Sequence, residues 1–539
     1  MQDRTTRREF LGGAAMAAAM LVTPSVRGQV TASDEQLRIE AAIPAKAFAS
    51  LRKPRKLLIF DFNVNYGGHR SAKTANVAFA VMGQRTGAFE AVVSKDPAVF
   101  APASLKQFDA VFFNNNVGNL FEDAALRQSL VEFVYGGGGL MGVHGTSVAF
   151  TKWPGAIEDW PEFGVMLGAR GANHRASDEH VFIKLDDPTH PVNQAFEGQG
   201  FDYRDEFFRI HEPYSRNRAR VLLSIDTTKT DMNQGPSYGK IERPDNDYAL
   251  AWVRQYGRGR VFYCGFAHNP SIFWDPKMLQ FYLAATQFVL GDLPGPTTPS
   301  AKLTPAIRAQ DQLGWRLAGT PSAAKDLPLF DAIDKAAEAG LLHLGAWNSQ
   351  AVSRDIPKPF DGQLSAKELE QIRLKLDAAG VHLLTYRIAS SPADAADWRG
   401  VFDFARKMGV EAVIAELPGL MLDAVGKLCD EYDINLAITG MPDGIWDGGG
   451  GARSKRIGVY EDTAHRRRAI DPAEPVRLLR EYLTVMQIGG DADKIAAALQ
   501  EVHRLNLKPV AFGVAPSDSA RIVDVFNTTA VRLAGGGTL

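Results

Sequence analysis

Five side chains stand out for their chemistry and their setting: His144, His174, Asp205, Glu206 and His268. Imidazole exchanges protons near neutrality, and a carboxylate beside it can orient the ring or act as the base itself. Two histidines and a carboxylate are also a common first shell for a divalent ion, so the same set would suit Zn, Mn or Mg. For any one of these histidines alone, a satisfied structural role is the simpler expectation. Three of them at separate positions, each after a strand or in a long loop, point instead to a shared catalytic site. Asn63, His69, Asn114 and Trp153 lie in polar loops that the same topology gathers, and are candidates to hold a substrate. His180 and His190 are assigned to structure, with His190-Pro191 as a turn.

The stretch that must position His144 is LVEFVYGGGGLMGVHGTSVAF, residues 130–150. Leu130, Phe133 and Val134 fall at helical spacing, and the glycines at 136–139 end the helix. Residues 140–143 then form a short apolar strand, with His144-Gly145-Thr146-Ser147 as the turn at its carboxyl end. In open parallel α/β sheets that edge is where ligands bind. Strands are expected at 56–60, 91–93 and 110–114, and helices at 71–82 and 123–135. This alternation predicts a doubly wound parallel sheet that brings Asn63, His69, Asn114, Asn115 and His144 to one edge. Gly142 and Gly145 leave little bulk beside His144, so a ligand is expected to approach the backbone there, with the imidazole exposed at the strand end.

The combination of GGGGLMGVHG, His174 in an extended loop, His190-Pro191, Asp205-Glu206, the run from Trp252 through Tyr256-Gly257 to Arg260-Val261-Phe262-Tyr263, and Gly265-x-x-His268 resembles the trehalose-utilisation (ThuA-like) family. The resemblance covers about 240 residues. It implies a flavodoxin-like fold related to the class I glutamine amidotransferases. Those enzymes carry a nucleophilic cysteine at the turn where this chain has Val143-His144-Gly145, and neither Cys264 nor Cys429 stands there. Glutaminase chemistry is therefore not expected. What the resemblance implies instead is carbohydrate processing, on oxidised (3-keto) sugars or glycosides, by a hydrolase, lyase or isomerase.

Pro294, Pro296 and Pro299 mark a semi-rigid linker over residues 294–305. Beyond it, a second β/α rhythm offers strands at 313–318, 341–344, 381–388, 412–416, 434–438, 457–460, 483–488 and 509–514. Eight strands alternating with helices predict a (β/α)₈ barrel over residues 306–539. The segments DAIDKAAEAG, IRLKLDAAGVHL and YEDTAH…DPAEPVRLLREY resemble the sugar-phosphate isomerase/epimerase (xylose isomerase-like) barrels. On that resemblance Asp462 and His465 occupy metal-ligand positions. Thr439, Gln487 and the strand Ala511-Phe512-Gly513-Val514 stand where the other ligands belong, so the set is depleted. Either Glu416, His382 or His343 completes a rearranged site, or the barrel is degenerate and binds sugar or props the first domain; the second reading is preferred. The glycines at 448–451, beside Trp446 and Arg453, form a loop near the same face.

With 539 residues, the chain needs two or three domains, here 54–293 and 306–539 around the linker. A net charge of −2 gives no electrostatic reason to expect nucleic acid or an anionic membrane. Two cysteines in different domains are expected to be free and buried. Arg7-Arg8 with Phe10 and a mild apolar run to Val22 resembles a twin-arginine export signal over residues 1–30. The mature protein is then expected in a periplasm or outside the cell, with no membrane anchor and a small carbohydrate as its partner. A non-catalytic carbohydrate-binding or scaffolding protein, and a barrel-based isomerase with a rebuilt metal site, are the competing readings.

Overall fold

The structure is a computed structural model that describes residues 33–320, 327–440, 454–463, 471, 473–515 and 519–535. Its first part is built on strands β1 (Lys56–Phe60), β2 (Glu90–Ser94), β3 (Ala110–Asn114) and β4 (Gly139–Val143). To these are added β5 (Arg170–Arg175), β6 (Glu179–Leu185), β7 (Phe201–Asp205), β8 (Arg209–His211), β9 (Arg220–Ile225), β10 (Ala249–Tyr256) and β11 (Gly259–Cys264). Nine of them form one sheet in the order β7-β6-β9-β10-β11-β4-β3-β1-β2.

The half containing β11, β4, β3, β1 and β2 is parallel, as the alternation predicts. The rest of the sheet runs antiparallel, which a purely parallel expectation misses. The reversal is made at the β10–β11 hairpin, where Gly257 takes φ 59°. A Cβ there would meet the Tyr135 carbonyl at 2.4 Å, and one on Gly259 the Val134 carbonyl at 2.2 Å. The helix ending at Tyr135 thus presses on a turn that only glycine can make.

Burial along the strands alternates between two cores. Leu57 and Ile59 face helices α1 (Arg70–Thr86) and α2 (Pro276–Val289); Leu58 and Phe60 face α3 (Ala124–Tyr135) and α4 (Pro161–Leu167). Each helix starts or stops where its sequence says: Asp123 caps α3, Asp275 caps α2, and Gly87 ends α1 in the left-handed region. Beside the sheet, β5 pairs antiparallel with β8 and with Ser237–Tyr238.

The second part is a closed parallel barrel: β12 (Leu317–Gly319), β13 (His343–Trp347), β14 (His382–Arg387), β15 (Ala412–Ala415), β16 (Asn435–Thr439), β17 (Ile457–Asp462), β18 (Leu483–Ile488) and β19 (Ala511–Val514). Its first strand begins later than expected. Residues up to Leu313 are helical, because Thr304 caps and Pro305 opens a helix that Gly314 ends at φ 70°. Both cysteines are free and buried. No helix among the described residues is long and apolar enough to cross a membrane.

Candidate active site: a carboxylate among four imidazoles

The carboxyl edge of the parallel half carries the site. After β4, the backbone turns sharply at His144, which takes φ 39°, while Asn115 after β3 takes φ 61°. Left-handed non-glycine residues cost of order 1–3 kcal/mol and persist only where their surroundings hold them. Here they are held. Asn115 Oδ1 accepts from Gly145 N at 3.0 Å, and the His144 carbonyl accepts from the Tyr263 hydroxyl at 2.9 Å.

Glu206, just past β7, is the centre. Its Oε1 lies 3.4 Å from His144 Nε2, and its Oε2 lies 3.3 Å from His174 Nδ1 and 3.6 Å from His268 Nε2. Burial acts to raise its carboxyl, but His144, His174 and His268 together outweigh that and hold it below the usual range. His69 completes the group, its ring centroid 5.0 Å from that of His144 and 5.3 Å from that of His268. Burial, reinforced by the neighbouring imidazoles, pushes His69 down to about 2. His268 is lowered for the same reasons. Both rings are thus neutral at pH 7 and offer lone pairs.

His144 is not the exposed strand-end imidazole that topology alone suggests. It is fully buried and stacks on Phe208 with ring centroids 4.5 Å apart. Its Nδ1 lies 3.1 Å from the Gly265 carbonyl and so carries a hydrogen, while its Nε2 faces Glu206. The space over Gly145 is also filled: a Cβ there would meet His69 Cε1 and the Asn115 carbonyl, both at 3.1 Å. What the glycine admits is the protein's own imidazole.

Asp205 and Glu206 part company, as consecutive residues leaving a strand do. Asp205 Oδ2 accepts from Ala267 N and His268 N, and its Oδ1 from Asn269 N and Asn269 Nδ2, at 2.8–3.2 Å. Burial pushes its carboxyl up to about 6 against the pull of His144 and of these donors. It clamps the loop that carries His268, while Glu206 makes the close approaches to the imidazoles.

The open side of the cluster is His174 and His268, whose side chains are 22% and 26% exposed. His174 Nδ1 lies 2.6 Å from the Arg175 carbonyl, which leaves Nε2 as the proton acceptor. Tyr66, whose hydroxyl is 3.2 Å from His69 Nε2, packs edge-on to Trp153, and Tyr238 leans on His174 with centroids 5.1 Å apart. Sequence reasoning named Trp153 but missed Tyr66 and Tyr238; Tyr66, three residues before His69 in the loop after β1, was the findable one. Asn63 accepts from Val117 N, and Asn114 donates to the Ala72 carbonyl and Asn76, so both brace loops beneath the site. His180 pairs with Asp202, and His190 caps the turn at Pro191–Phe196.

Among the described residues, His69, Glu206 and His268 are the group whose potential ligand atoms lie within 4.8 Å of one another. Among its described residues the barrel offers no equivalent. Asp462 ends β17, whereas His343 and His382 begin their strands and so sit at the opposite rim. Those rims are about 15 Å apart over five residues of strand, so neither histidine can complete a site with Asp462. Glu416 follows β15 on the Asp462 side and is exposed. His465 and the glycine loop at 448–451 lie outside the described residues.

Residues 56–289 match the ThuA family model, trehalose utilisation. A ThuA-like protein from Bacteroides uniformis is 19% identical and covers 44% of this chain and 93% of its own, with a TM-score of 0.36. A xylose isomerase domain protein from Alicyclobacillus acidocaldarius is 12% identical over 41% of this chain and 100% of its own, with a TM-score of 0.30. A sugar phosphate isomerase/epimerase from Parabacteroides distasonis is 11% identical over 41% of this chain and 96% of its own, with a TM-score of 0.28. No curated protein matches the chain.

Proposed function

We propose that the ThuA-like part processes an oxidised (3-keto) glycoside, with His174 as the base that removes the proton next to the ketone. The observation that carries this reading is the fixing of His174 Nδ1 on the Arg175 carbonyl at 2.6 Å, beside the ionised Glu206 and at the open side of the cluster. A ring held in that tautomer has one free lone pair, on Nε2, and a carboxylate nearby to stabilise the imidazolium that forms. The proton on the carbon between the ketone and the glycosidic carbon is acidified by the carbonyl. Its removal gives an enolate, which either takes a proton back or breaks the bond to the glycosidic oxygen, which leaves as an alcohol with the proton His174 had taken. The aromatic rim of Tyr66, Trp153 and Tyr238 supports a sugar, whose apolar faces stack on such rings.

The test is turnover of 3-keto glycosides, with hydrogen–deuterium exchange at the carbon beside the ketone as a second readout. A His174→Gln variant should keep its fold and lose about 10²–10⁴ in rate. Wild-type turnover in that variant would overturn the assignment, and wild-type protein that binds such sugars without turnover or exchange would favour the non-catalytic binding reading. The barrel, with Thr439 and Gln487 at depleted ligand positions, serves recognition or support in this reading. Export by the twin-arginine route belongs to the same proposal, and its test is Arg7→Lys with Arg8→Lys, which should retain the precursor in the cytoplasm.

A further inference from the structure

We infer that His69, His268 and Glu206 hold one divalent transition-metal ion of the zinc class. The inference deepens the reading of this cluster as the working site and rests on it. Three donors of the right kind, two imidazoles and a carboxylate, converge within 4.8 Å. His268 Nε2 stands 3.6 Å from Glu206 Oε2, beyond the 2.7–3.2 Å of N–H···O bonds. Two ligands on a tetrahedral ion with bonds of ~2.0–2.1 Å lie ~3.3 Å apart, which is close to what is seen.

A second observation is independent of that convergence. His144 Nε2 is buried and has no hydrogen-bond partner. Its Nδ1 is engaged by the Gly265 carbonyl at 3.1 Å, and its Nε2 stands 3.4 Å from Glu206 Oε1, beyond the 2.7–3.2 Å of N–H···O bonds. A buried nitrogen left without a partner beside a mostly buried carboxylate calls for positive charge at that carboxylate. A cation on Oε2 supplies it. The donors lie within 4.8 Å of one another and must come within the ~4.2 Å that two such bonds span. His268, a quarter exposed, has room to do so.

Two imidazoles and one carboxylate leave coordination positions open, the pattern of catalytic zinc and of iron(II) sites. Imidazole donors select against magnesium. The ligand for the open positions is a carbonyl or hydroxyl oxygen of the substrate, which the ion would polarise while His174, not a member of the donor group, remains free to take the proton.

The full chain, freed of metal by chelation and dialysis, is titrated with Zn²⁺ by calorimetry and with Co²⁺ by visible absorption. One equivalent should bind, with the intense visible bands of four- or five-coordinate Co²⁺. His268→Gln, His69→Ala and Glu206→Gln should each weaken binding at least tenfold, while Asp462→Asn and His174→Gln should bind as wild type. Failure to bind a stoichiometric ion, survival of binding in all three ligand variants, or its loss in Asp462→Asn overturns the inference. Circular dichroism identifies a variant that has unfolded, and the partly exposed His268 then decides the matter. These readouts involve no sugar, so a wrong substrate leaves them intact. Full turnover of a keto-glycoside by metal-free protein would sink the ion and leave the function standing.

Discussion

At the scale of single residues, the burial of a histidine decides what it can do. His144 touches no solvent, so its part is to set the Glu206 carboxylate from behind. Its removal opens a cavity against Phe208 and strips the Gly265 carbonyl of its donor. His144→Ala is therefore expected to lose about 2–4 kcal/mol in denaturant titrations. His190 gives a pH dependence. Its Nδ1 accepts from Val192 N at 3.2 Å, and its Nε2–H donates to the Pro296 carbonyl at 3.1 Å, so the neutral ring is fully satisfied. Burial holds it down at about 4 from an ordinary 6.5, with Asp187 pulling the other way and Arg220 and Arg260 adding to burial. A folded value below the unfolded one means stability that is present above pH 6.5 and is lost as pH falls through about 4. The contribution is at most about 3 kcal/mol. Unfolding free energies measured from pH 7 to pH 4 should fall less steeply in His190→Asn than in wild type.

At the scale of elements, the site depends on one carboxylate that does not enter it. Asp205 ties β7 to the loop after β11, and its four accepted hydrogen bonds fix where His268 points. Asp205→Ala leaves those donors unpaired in a buried place, and a loss of about 2–4 kcal/mol is expected. Asp205→Asn keeps part of the set and should lose less in the same denaturant titration. A variant in which stability is untouched would show that the loop is positioned by something else. The turn after β4 is as constrained: a Cβ on Gly145 meets His69 and Asn115 at 3.1 Å. Gly145→Ala should shift His69, and its signature is weaker binding of Co²⁺ with little change in thermal unfolding.

At the scale of the whole molecule, the two parts are joined by buried charge. Arg373, on the barrel helix Ala366–Ala379, donates to Glu162 Oε1 at 2.9 Å, and the same oxygen accepts from the Tyr256 hydroxyl. Asp377 of the same helix pairs with Arg254 and Arg218. Hydrogen bonds from Tyr256 and the guanidinium raise the worth of the pair, and removing one partner leaves the other charge stranded. Arg373→Ala is expected to cost about 3–5 kcal/mol at the interface. In calorimetry this should appear as two separated unfolding transitions where wild type shows them coupled. A single transition of unchanged midpoint would mean that the parts are held together elsewhere.

Much of this was legible in the sequence. The β/α rhythm gave the parallel half-sheet and the barrel, because burial on both faces writes continuous apolar runs that need no partner to be recognised. The glycine-rich approach to His144 and the separate histidines pointed to the sheet edge where the imidazoles gather. Other features depend on distances that no local pattern encodes. The antiparallel half is set by a hairpin whose glycines answer to a helix more than a hundred residues earlier. His343 changed rims because its strand begins at that residue, two positions after the apolar run starts at Leu341, and a barrel's two ends are chemically unrelated places. Asp205 and Glu206 were expected at the site together, but Asp205 ends β7 on the loop after β11 while Glu206, just past it, stands by the imidazoles. Which one meets the imidazoles was decided only when β7 was laid at the sheet edge, with the loop after β11 on one side and His144, His174 and His69 on the other.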